Sequence, residues 1–448
     1  MTNGEQYKYY YIHTFGCQMN VSDSEKVAFL LEQKGYRRTE DMGKADIVIV
    51  NTCSVREKAE QKAHSLLGRL RQTKTVKPHL VTGVVGCLAQ QWGARYFKKM
   101  PHLDFVCGTH NIDKIPAMIE AVIKGGRKVE ETRFYAHVPS LDLCVPSTDG
   151  RLSAFVTIMQ GCNNFCSYCI VPYVRGREES RPSRDIVREI SALARQGVKE
   201  ITLLGQNVNS YGSTLTEAVD FSTLLKMVSA IEGIERIRFT TSHPKDFSEA
   251  LIDSFVSIDK VCEHIHLPVQ SGSNEVLKRM GRGYTIEEYV GKLEHLMSVC
   301  PSISITTDII VGFPGETDEY FQKTIDLMKK VRFDNIFSFK YSDRLGVAAA
   351  GFDGKVPETI KAQRLQILQA LQSSITLEKN RAQEGKIESV LVEGTSKGCP
   401  SDVTGRTRGN RIVNFTGSSF LVGTTVPVRI AEGYAHSLRG RTLSGEER

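Results

Sequence analysis

Along residues 9–125, short apolar runs alternate with amphipathic stretches. Residues 9–13, 46–50, 79–85 and 103–106 are apolar runs of strand length, with helix-period segments between them. One such segment, 22–34, carries Ser22 and Glu25 at capping-box spacing and stops at Gly35. This alternation predicts a parallel sheet with helices on both faces over residues 7–125. The rhythm resumes over residues 148–379, with strands expected at 154–159, 200–204, 236–241, 264–269, 303–310 and 336–341. Six strand–helix units in place of eight predict a partial (β/α)6 barrel, with chemistry at the carboxyl ends of its strands. Its helix 317–331 places Tyr320, Thr324, Met328 and Val331 on one face, behind Thr317 as N-cap. A polar helix, 358–379, leads into residues 381–444. There the short β-rich runs 389–392, 411–415 and 425–430, separated by Gly, Ser and Thr, predict a small β-barrel. The expected fold class is α/β: an N-terminal parallel α/β sheet domain, a central partial barrel and a C-terminal small β-barrel.

Composition narrows the picture modestly. A chain of 448 residues, 40% hydrophobic and 24% charged, builds several ordinary globular cores. No apolar stretch approaches the about 20 residues that span a bilayer, and no secretory h-region is present, so a cytoplasmic protein is expected. Eleven cysteines, an odd number, argue for metal ligation over a disulfide framework. The net charge of +7 is too small to establish nucleic-acid binding without knowing where it lies.

The densest chemistry is Cys162, Cys166 and Cys169, a CxxxCxxC run directly after the first expected barrel strand. Three sulfurs so placed can hold three corners of an iron–sulfur cube and leave one iron without a protein ligand. A structural zinc site would want a fourth ligand nearby, yet the next His is His243 and the next Cys is Cys262. Ferredoxin runs use the shorter CxxCxxC spacing. A second set, Cys17, Cys53 and Cys87, falls just after the first three strands. In an open parallel sheet those ends share one edge, and Gly16 and Gly86 permit close approach. The alternative is three unrelated buried thiols. Cys107 also ends a strand; it is a fourth ligand or core, and spacing does not choose.

The CxxxCxxC run, with aromatic Tyr168 before the last Cys, resembles the radical S-adenosylmethionine (SAM) enzymes. That resemblance implies a [4Fe–4S] cluster whose open iron binds SAM and cleaves it to a 5′-deoxyadenosyl radical. Besides Tyr168, it implies Gln206, Gln270 and Gly312 as SAM contacts at the strand ends. The three earlier cysteines, within Gly16-Cys17-Gln18-Met19-Asn20 and Asn51-Thr52-Cys53-Ser54-Val55-Arg56-Glu57-Lys58-Ala59, are similar to the methylthiotransferase branch of that family. In that branch they hold an auxiliary [4Fe–4S] cluster, and Cys107 matches no ligand position.

The implied reaction uses two SAM molecules and two [4Fe–4S] clusters to methylthiolate N6-isopentenyladenosine at C2, beside the anticodon of tRNA. Implied partners are the tRNA anticodon stem-loop, an electron donor such as flavodoxin or ferredoxin, and a sulfur or cluster donor; a monomer is expected. Gln18-Met19-Asn20 favours this substrate over those of the sister enzymes, threonylcarbamoyl-adenosine in tRNA or a ribosomal-protein aspartate. A non-catalytic iron–sulfur RNA-binding redox sensor is the alternative from another class, and the missing fourth ligand speaks against it.

Arginines supply the remaining signals. Arg175, Arg177, Arg181 and Arg184 follow the cluster loop, either as a solvated face or as partners of anions. Between Asp402 and Glu432 there is no acid, while Arg406, Arg408, Arg411 and Arg429 lie there, a footprint for a phosphate backbone. Val392-Glu393-Gly394 and Gly405-Arg406-Thr407-Arg408 resemble the TRAM domain, an RNA-binding module. Residues 341–347 lack the Pro and Thr that usually follow Arg344 in the family, which implies a differently shaped loop over the site. Cys144, Cys262, Cys300 and Cys399 belong to no motif.

Overall fold

A computed structural model describes residues 8–54, 57–142 and 150–443. Val55, Arg56, Cys144 and the expected domain edges at 7, 148 and 444 lie outside the described residues. The N-terminal strands are β1 (Tyr9–Thr14), β2 (Arg37–Arg38), β3 (Ile47–Thr52), β4 (Val81–Gly86), β5 (Phe105–Cys107) and β6 (Val129–Glu131). They form one parallel sheet in the order β2-β1-β3-β4-β5-β6. Every residue of β3 and β4 is buried, as expected when helices cover both faces of a parallel sheet. Side chains divide with the two-residue period: Ile47, Ile49, Val81 and Val85 enter one core, and Val48, Val50 and Val84 the other.

Helix α1 spans Gln18–Gln33 and begins four residues before the expected start. Its N-cap is Cys17, whose amide donates to Asn20 Oδ1 at 3.3 Å, so the box closes on Asn20. Ser22 is interior instead and pairs with Thr157 Oγ1 at 3.1 Å across the domain boundary. A Cys cap is invisible to a rule that looks for Ser, Thr, Asp or Asn. The end of the helix does match, with Gly35 in a left-handed turn at φ 85°. The next two helices are α2 (Glu57–Val76) and α3 (Cys87–Trp92).

In the central domain β7 (Ser153–Thr157), β10 (Glu200–Leu204) and β11 (Arg236–Phe239) pair in parallel, as do β12 (His264–His266), β13 (Ser304–Val311) and β14 (Asn335–Lys340). A parallel bridge from Ile237 to Val261 joins the halves into a six-strand partial barrel. The first expected strand is broken: β8 (Met159–Gln160) leaves the sheet and pairs antiparallel with β9 (Glu179–Ser180). That departure carries the chain into the cysteine loop. Helix Asp318–Val331 forms as expected, with Thr317 Oγ1 accepting from the Tyr320 amide at 3.2 Å.

Helix Glu358–Arg381 leads to β15 (Ile387–Thr395), β16 (Asp402–Thr407), β17 (Ile412–Thr416), β18 (Thr425–Gly433) and β19 (Leu438–Thr442), closed in the order β15-β16-β17-β19-β18. β16 and β19 carry no apolar run. Gly405 and Gly440 sit where strands press together, and a Cβ at Gly405 would lie 2.2 Å from Leu391 O. Backbone crowding, and not side-chain hydropathy, makes them strands.

Candidate functional site

Cys17, Cys53 and Cys87 follow β1, β3 and β4, three neighbouring parallel strands, so their carboxyl ends bring the thiols together. The loops that carry them cannot spread. Gly16 has φ 142° and a Cβ there would lie 2.8 Å from Cys53 Cβ. Gly86 has φ 90° and a Cβ would lie 2.5 Å from Asn51 Oδ1. Asn20 and Asn51 lock the loops: Asn20 Nδ2 donates to Asn51 Oδ1 and Thr52 O at 3.1 Å each. Asn51 Nδ2 returns a bond to Asn20 O at 2.9 Å.

The electrostatics suit a thiolate site. A hydrogen bond with Cys53, helped by nearby Arg175 and opposed by burial, pulls the Cys17 thiol down to about 6. Burial pushes Cys87 up, and Arg175 opposes it. Arg175 is itself buried, and its Nη2 donates to Asp23 Oδ2 at 2.6 Å. Cys107 stays apart in the core of the sheet, where its thiol donates to Asn111 O at 3.2 Å.

Cys162, Cys166 and Cys169 lie on the loop after β8 and influence one another electrostatically. The loop is pinned by Ser167 N to Met280 O at 2.9 Å and by Cys162 N to Gly176 O at 3.2 Å. Burial pushes Cys162 up to about 11 and, with Cys166 beside it, Cys169 up to about 12. Burial favours the protonated thiols, and a metal that displaces the protons relieves that penalty. Arg282, 5% exposed, donates from Nη1 to Cys166 Sγ at 3.5 Å and from Nη2 to Pro268 O at 2.7 Å. Among the described residues no three Cys, His, Asp or Glu sit closely enough to hold a single metal ion. The donor set in both places is three thiols with a buried arginine beside them, which fits an anionic iron–sulfur cube.

A cavity of about 850 Å³ runs from Cys17 and Cys53, past Gln206 and the inner ends of β11 to β14, to the small barrel. Its middle is walled by His266, Thr306, Asp308 and Phe337. His266 Nδ1 meets Thr306 Oγ1 at 3.0 Å, its Nε2 lies 3.5 Å from Asp308 Oδ1, and the Phe337 ring stands edge-on at 5.6 Å. His264 is buried and held neutral far below its ordinary range by desolvation, with Arg238 beside it.

Of the expected SAM contacts, the structure brings only Gln206 to the cavity wall, where its Oε1 accepts from the Gly161 amide at 2.6 Å. Tyr168 points into an apolar cluster with Val276, Met280, Phe313 and Tyr341. Gln270 takes a left-handed turn, φ 75°, and its backbone bonds to β13. Gly312 gives its amide to Glu316 Oε1 at 2.8 Å, and the Lys361 side chain fills the space a Cβ would need. Position after a strand was the only sequence signal for Gln206, Gln270 and Gly312, and it does not tell which way a loop turns.

In the arginine patch, Arg408 grips Glu263 in a fork at 2.7 and 2.8 Å, and Arg411 pairs with Asp334. Arg406 pairs with Glu393 at 3.2 Å, and Arg429 donates to Gly385 O at 3.2 Å. In return Arg238 donates to Arg408 O and Thr407 O at 2.8 Å each. A run free of acids in sequence has acids facing it across the interface. Arg406 and Arg411 still line the cavity, together with Asn410, His436 and Ser437. Of the arginines after the cysteine loop, Arg175 and Arg181 are buried, Arg181 against Glu189 at 2.7 Å, while Arg177 and Arg184 are exposed. The 341–347 segment spans domains: Arg344 bonds Glu60 at 2.9 Å and Val347 packs on Cys87. Sequence reasoning missed Arg282, a charged residue in a Gly-flanked loop with no motif around it.

Three family models match: the radical SAM superfamily over residues 156–328, the Uncharacterized protein family UPF0004 over 9–108, and the TRAM domain over 381–443. A tRNA-2-methylthio-N(6)-dimethylallyladenosine synthase from Syntrophus aciditrophicus (strain SB) is 58% identical over 98% of this chain and 95% of its own. Another so named, from Geotalea uraniireducens (strain Rf4), is 54% identical over 97% of this chain and 98% of its own. Among solved structures, the radical S-adenosylmethionine methyltransferase TsrM from Kitasatospora setae, with cobalamin and a [4Fe-4S] cluster bound, superposes with a TM-score of 0.55. It is 13% identical, covers 77% of each chain, and shares the fold alone. The chain belongs to the tRNA-2-methylthio-N(6)-dimethylallyladenosine synthase family of radical SAM enzymes.

Proposed function

We propose that this enzyme methylthiolates C2 of N6-isopentenyladenosine, next to the anticodon in tRNA. Cys162, Cys166 and Cys169 hold the radical SAM [4Fe–4S] cluster, and Cys17, Cys53 and Cys87 the auxiliary one. The observation that supports this reading most is one continuous cavity lined by Cys17 and Cys53, the barrel interior and the small barrel. When bound, the two clusters and two SAM molecules supply hydrogen abstraction from C2 and the methylthio group that replaces it.

The protein places and shields. Gln206 fixes the Gly161 amide at the start of the cysteine loop. Phe337, 44% exposed beside His266, offers a ring face on which a base splayed from the anticodon loop stacks. Arg406 and Arg411, on the small-barrel wall of the same cavity, take the flanking phosphates. Domains divide at 7–125, 148–379 and 381–444. Among the described residues no helix is long and apolar enough to cross a membrane. We place the enzyme in the cytoplasm as a monomer, served by a flavodoxin or ferredoxin and a sulfur or cluster donor.

The test uses reduced, anaerobically reconstituted enzyme with SAM and tRNA bearing N6-isopentenyladenosine, and nucleoside mass spectrometry. Cys166→Ala abolishes both 5′-deoxyadenosine and product. Cys53→Ala stops product while SAM cleavage stays measurable. Normal product formation by the Cys53→Ala enzyme would falsify the auxiliary assignment.

A further inference from the structure

Five charged side chains meet under the N-terminal thiols, where α1 crosses onto the barrel. Lys26, Arg175 and Arg181 are the cations and Asp23 and Glu189 the anions, and each is at most 6% exposed. Three cations against two carboxylates leave one buried positive charge in excess. Such a charge, taken from water and left unpaired, costs several kcal/mol (on the order of the penalty for breaking a buried ion pair). Burial, with Arg181 beside it, pulls Lys26 down to about 8, and an anion facing the group would offset the remaining cost.

Arg175 and Arg181 both keep buried N–H groups without a hydrogen bond, and Arg175 is the one that meets the thiols. Its Nη2 is taken by Asp23 at 2.6 Å, while its Nη1 is buried and makes no hydrogen bond. The strongest electrostatic neighbours of this guanidinium are Asp23, Cys87 and Cys17. With the carboxylate already spent on one edge, the thiols are what remains for the other. The residue is also held firmly. Its carbonyl accepts from His110 Nε2 at 2.9 Å, and the Val174 carbonyl before it from Thr109 Oγ1 at 2.5 Å. Arg175 ends the short helix Val171–Arg175, which starts two residues after Cys169. One short segment thus links the cysteine loop of the barrel to the thiols of the sheet domain.

We propose that Arg175 is a positioning residue for the auxiliary cluster: its free guanidinium edge supplies the buried positive charge and hydrogen-bond donor for a three-thiolate cube on Cys17, Cys53 and Cys87. This rests on the assignment of those cysteines as ligands. A dicationic four-iron core with three thiolates is anionic, and net charge and hydrogen bonds to its sulfurs set its potential. A fixed cation beside it favours the reduced form and raises that potential; Asp23, on the far edge of the cation, lowers it.

The experiment measures the midpoint potential of the auxiliary cluster by EPR-monitored titration of full-length protein in a Cys166→Ala background. About four irons per chain are expected there. Asp23→Asn shifts the potential upward, and adding Arg175→Gln to Asp23→Asn shifts it back down. Neither comparison leaves an orphaned carboxylate to unfold the site. Loss of the cube from the double variant, with Asp23→Asn still loaded, equally supports a counter-cation. Equal potentials in the two variants overturn the proposal, as does loss of iron from both, which makes the pair a scaffold. If the Cys166→Ala protein with Arg175 and Asp23 intact holds no cluster, the ligand assignment fails before Arg175 is tested.

Discussion

Arg282 Nη1 donates to Cys166 Sγ at 3.5 Å while its Nη2 donates to Pro268 O at 2.7 Å. One buried side chain thus ties the cysteine loop to the end of β12, whose following residues wall the cavity. Its third contact, Nε to Tyr284 Oη at 3.1 Å, completes the fork. Arg282→Gln therefore removes a sulfur-directed donor and leaves the buried Pro268 carbonyl only the longer bond from Tyr284 Oη at 3.4 Å. A hydrogen bond from a charged donor is worth about 1.5–3 kcal/mol. The expected result is a protein with its iron retained, a denaturation midpoint lowered accordingly, and 5′-deoxyadenosine formation slowed about tenfold or more. Arg282→Lys, which keeps the charge, recovers part of the rate. Unchanged initial rates in Arg282→Gln would remove Arg282 from the site.

The Arg408–Glu263 fork joins the small barrel to the central one, with both side chains only about a quarter exposed. Charge-assisted, bidentate contacts of this kind are worth about 1–3 kcal/mol. Arg408→Ala loosens the module on the barrel. SAM cleavage by the reduced enzyme without tRNA stays normal, because no cysteine or Gln206 is touched. tRNA affinity falls about tenfold, read by filter binding at fixed salt, since Arg406 and Arg411 no longer hold their places on the cavity wall. A fall in tRNA-free cleavage instead would mean that the interface supports the barrel site itself.

The strand–helix rhythm, the small C-terminal barrel and the shared sheet edge of Cys17, Cys53 and Cys87 were all legible, because each follows from period and topology. Parallel neighbours β1, β3 and β4 must end on one side. What was illegible depends on contacts across domains. Nothing near Arg408 in sequence announces Glu263, 145 residues away. Arg175 reads either as surface charge or as a partner of some anion until Asp23, on a helix 152 residues earlier, is found against it. The glycines of β16 and β19 carried no hydropathy signal, and the loop that turns Gly312 toward Lys361 depends on a helix 49 residues on.

Two buried histidines give the folded chain an acid limit. Desolvation, with Arg282 and Lys245 nearby, pulls His243 down to about 2 from an ordinary 6.5. Between those values the unfolded chain binds a proton that the folded one refuses, so stability is full above pH 6.5 and falls as pH drops below it. The loss is about 1.4 kcal/mol per pH unit for one group. His264, also held well below its ordinary value by burial, adds to it. His243 Nδ1 accepts from the Lys245 amide at 3.2 Å, a capping role that Asn can fill. His243→Asn is expected to reduce the slope of unfolding free energy, measured in urea from pH 6.5 to 4.5, by about one proton. An unaltered slope would show that His243 is not the group that resists protonation.

Cys107 separates geometry from residue type. It ends β5, the strand next to β4, so by topology alone it has the same claim as Cys87 to a cluster. Its side chain settles the matter differently: it lies fully buried against Tyr10, Phe105 and Ile115 and bonds back to Asn111 O. Burial raises that thiol as it raises Cys87, so what sets Cys107 apart is its packing and its bond to Asn111 O. Cys107→Ala should therefore keep about eight irons per chain and full methylthiolation. It should cost only about 1 kcal/mol of stability, the price of one small buried side chain. Cys87→Ala, one strand over, should retain about four irons and no product. Parallel iron and sulfide determinations on the two variants decide it: equal losses would place Cys107 among the ligands and close the vacant corner of the auxiliary cube.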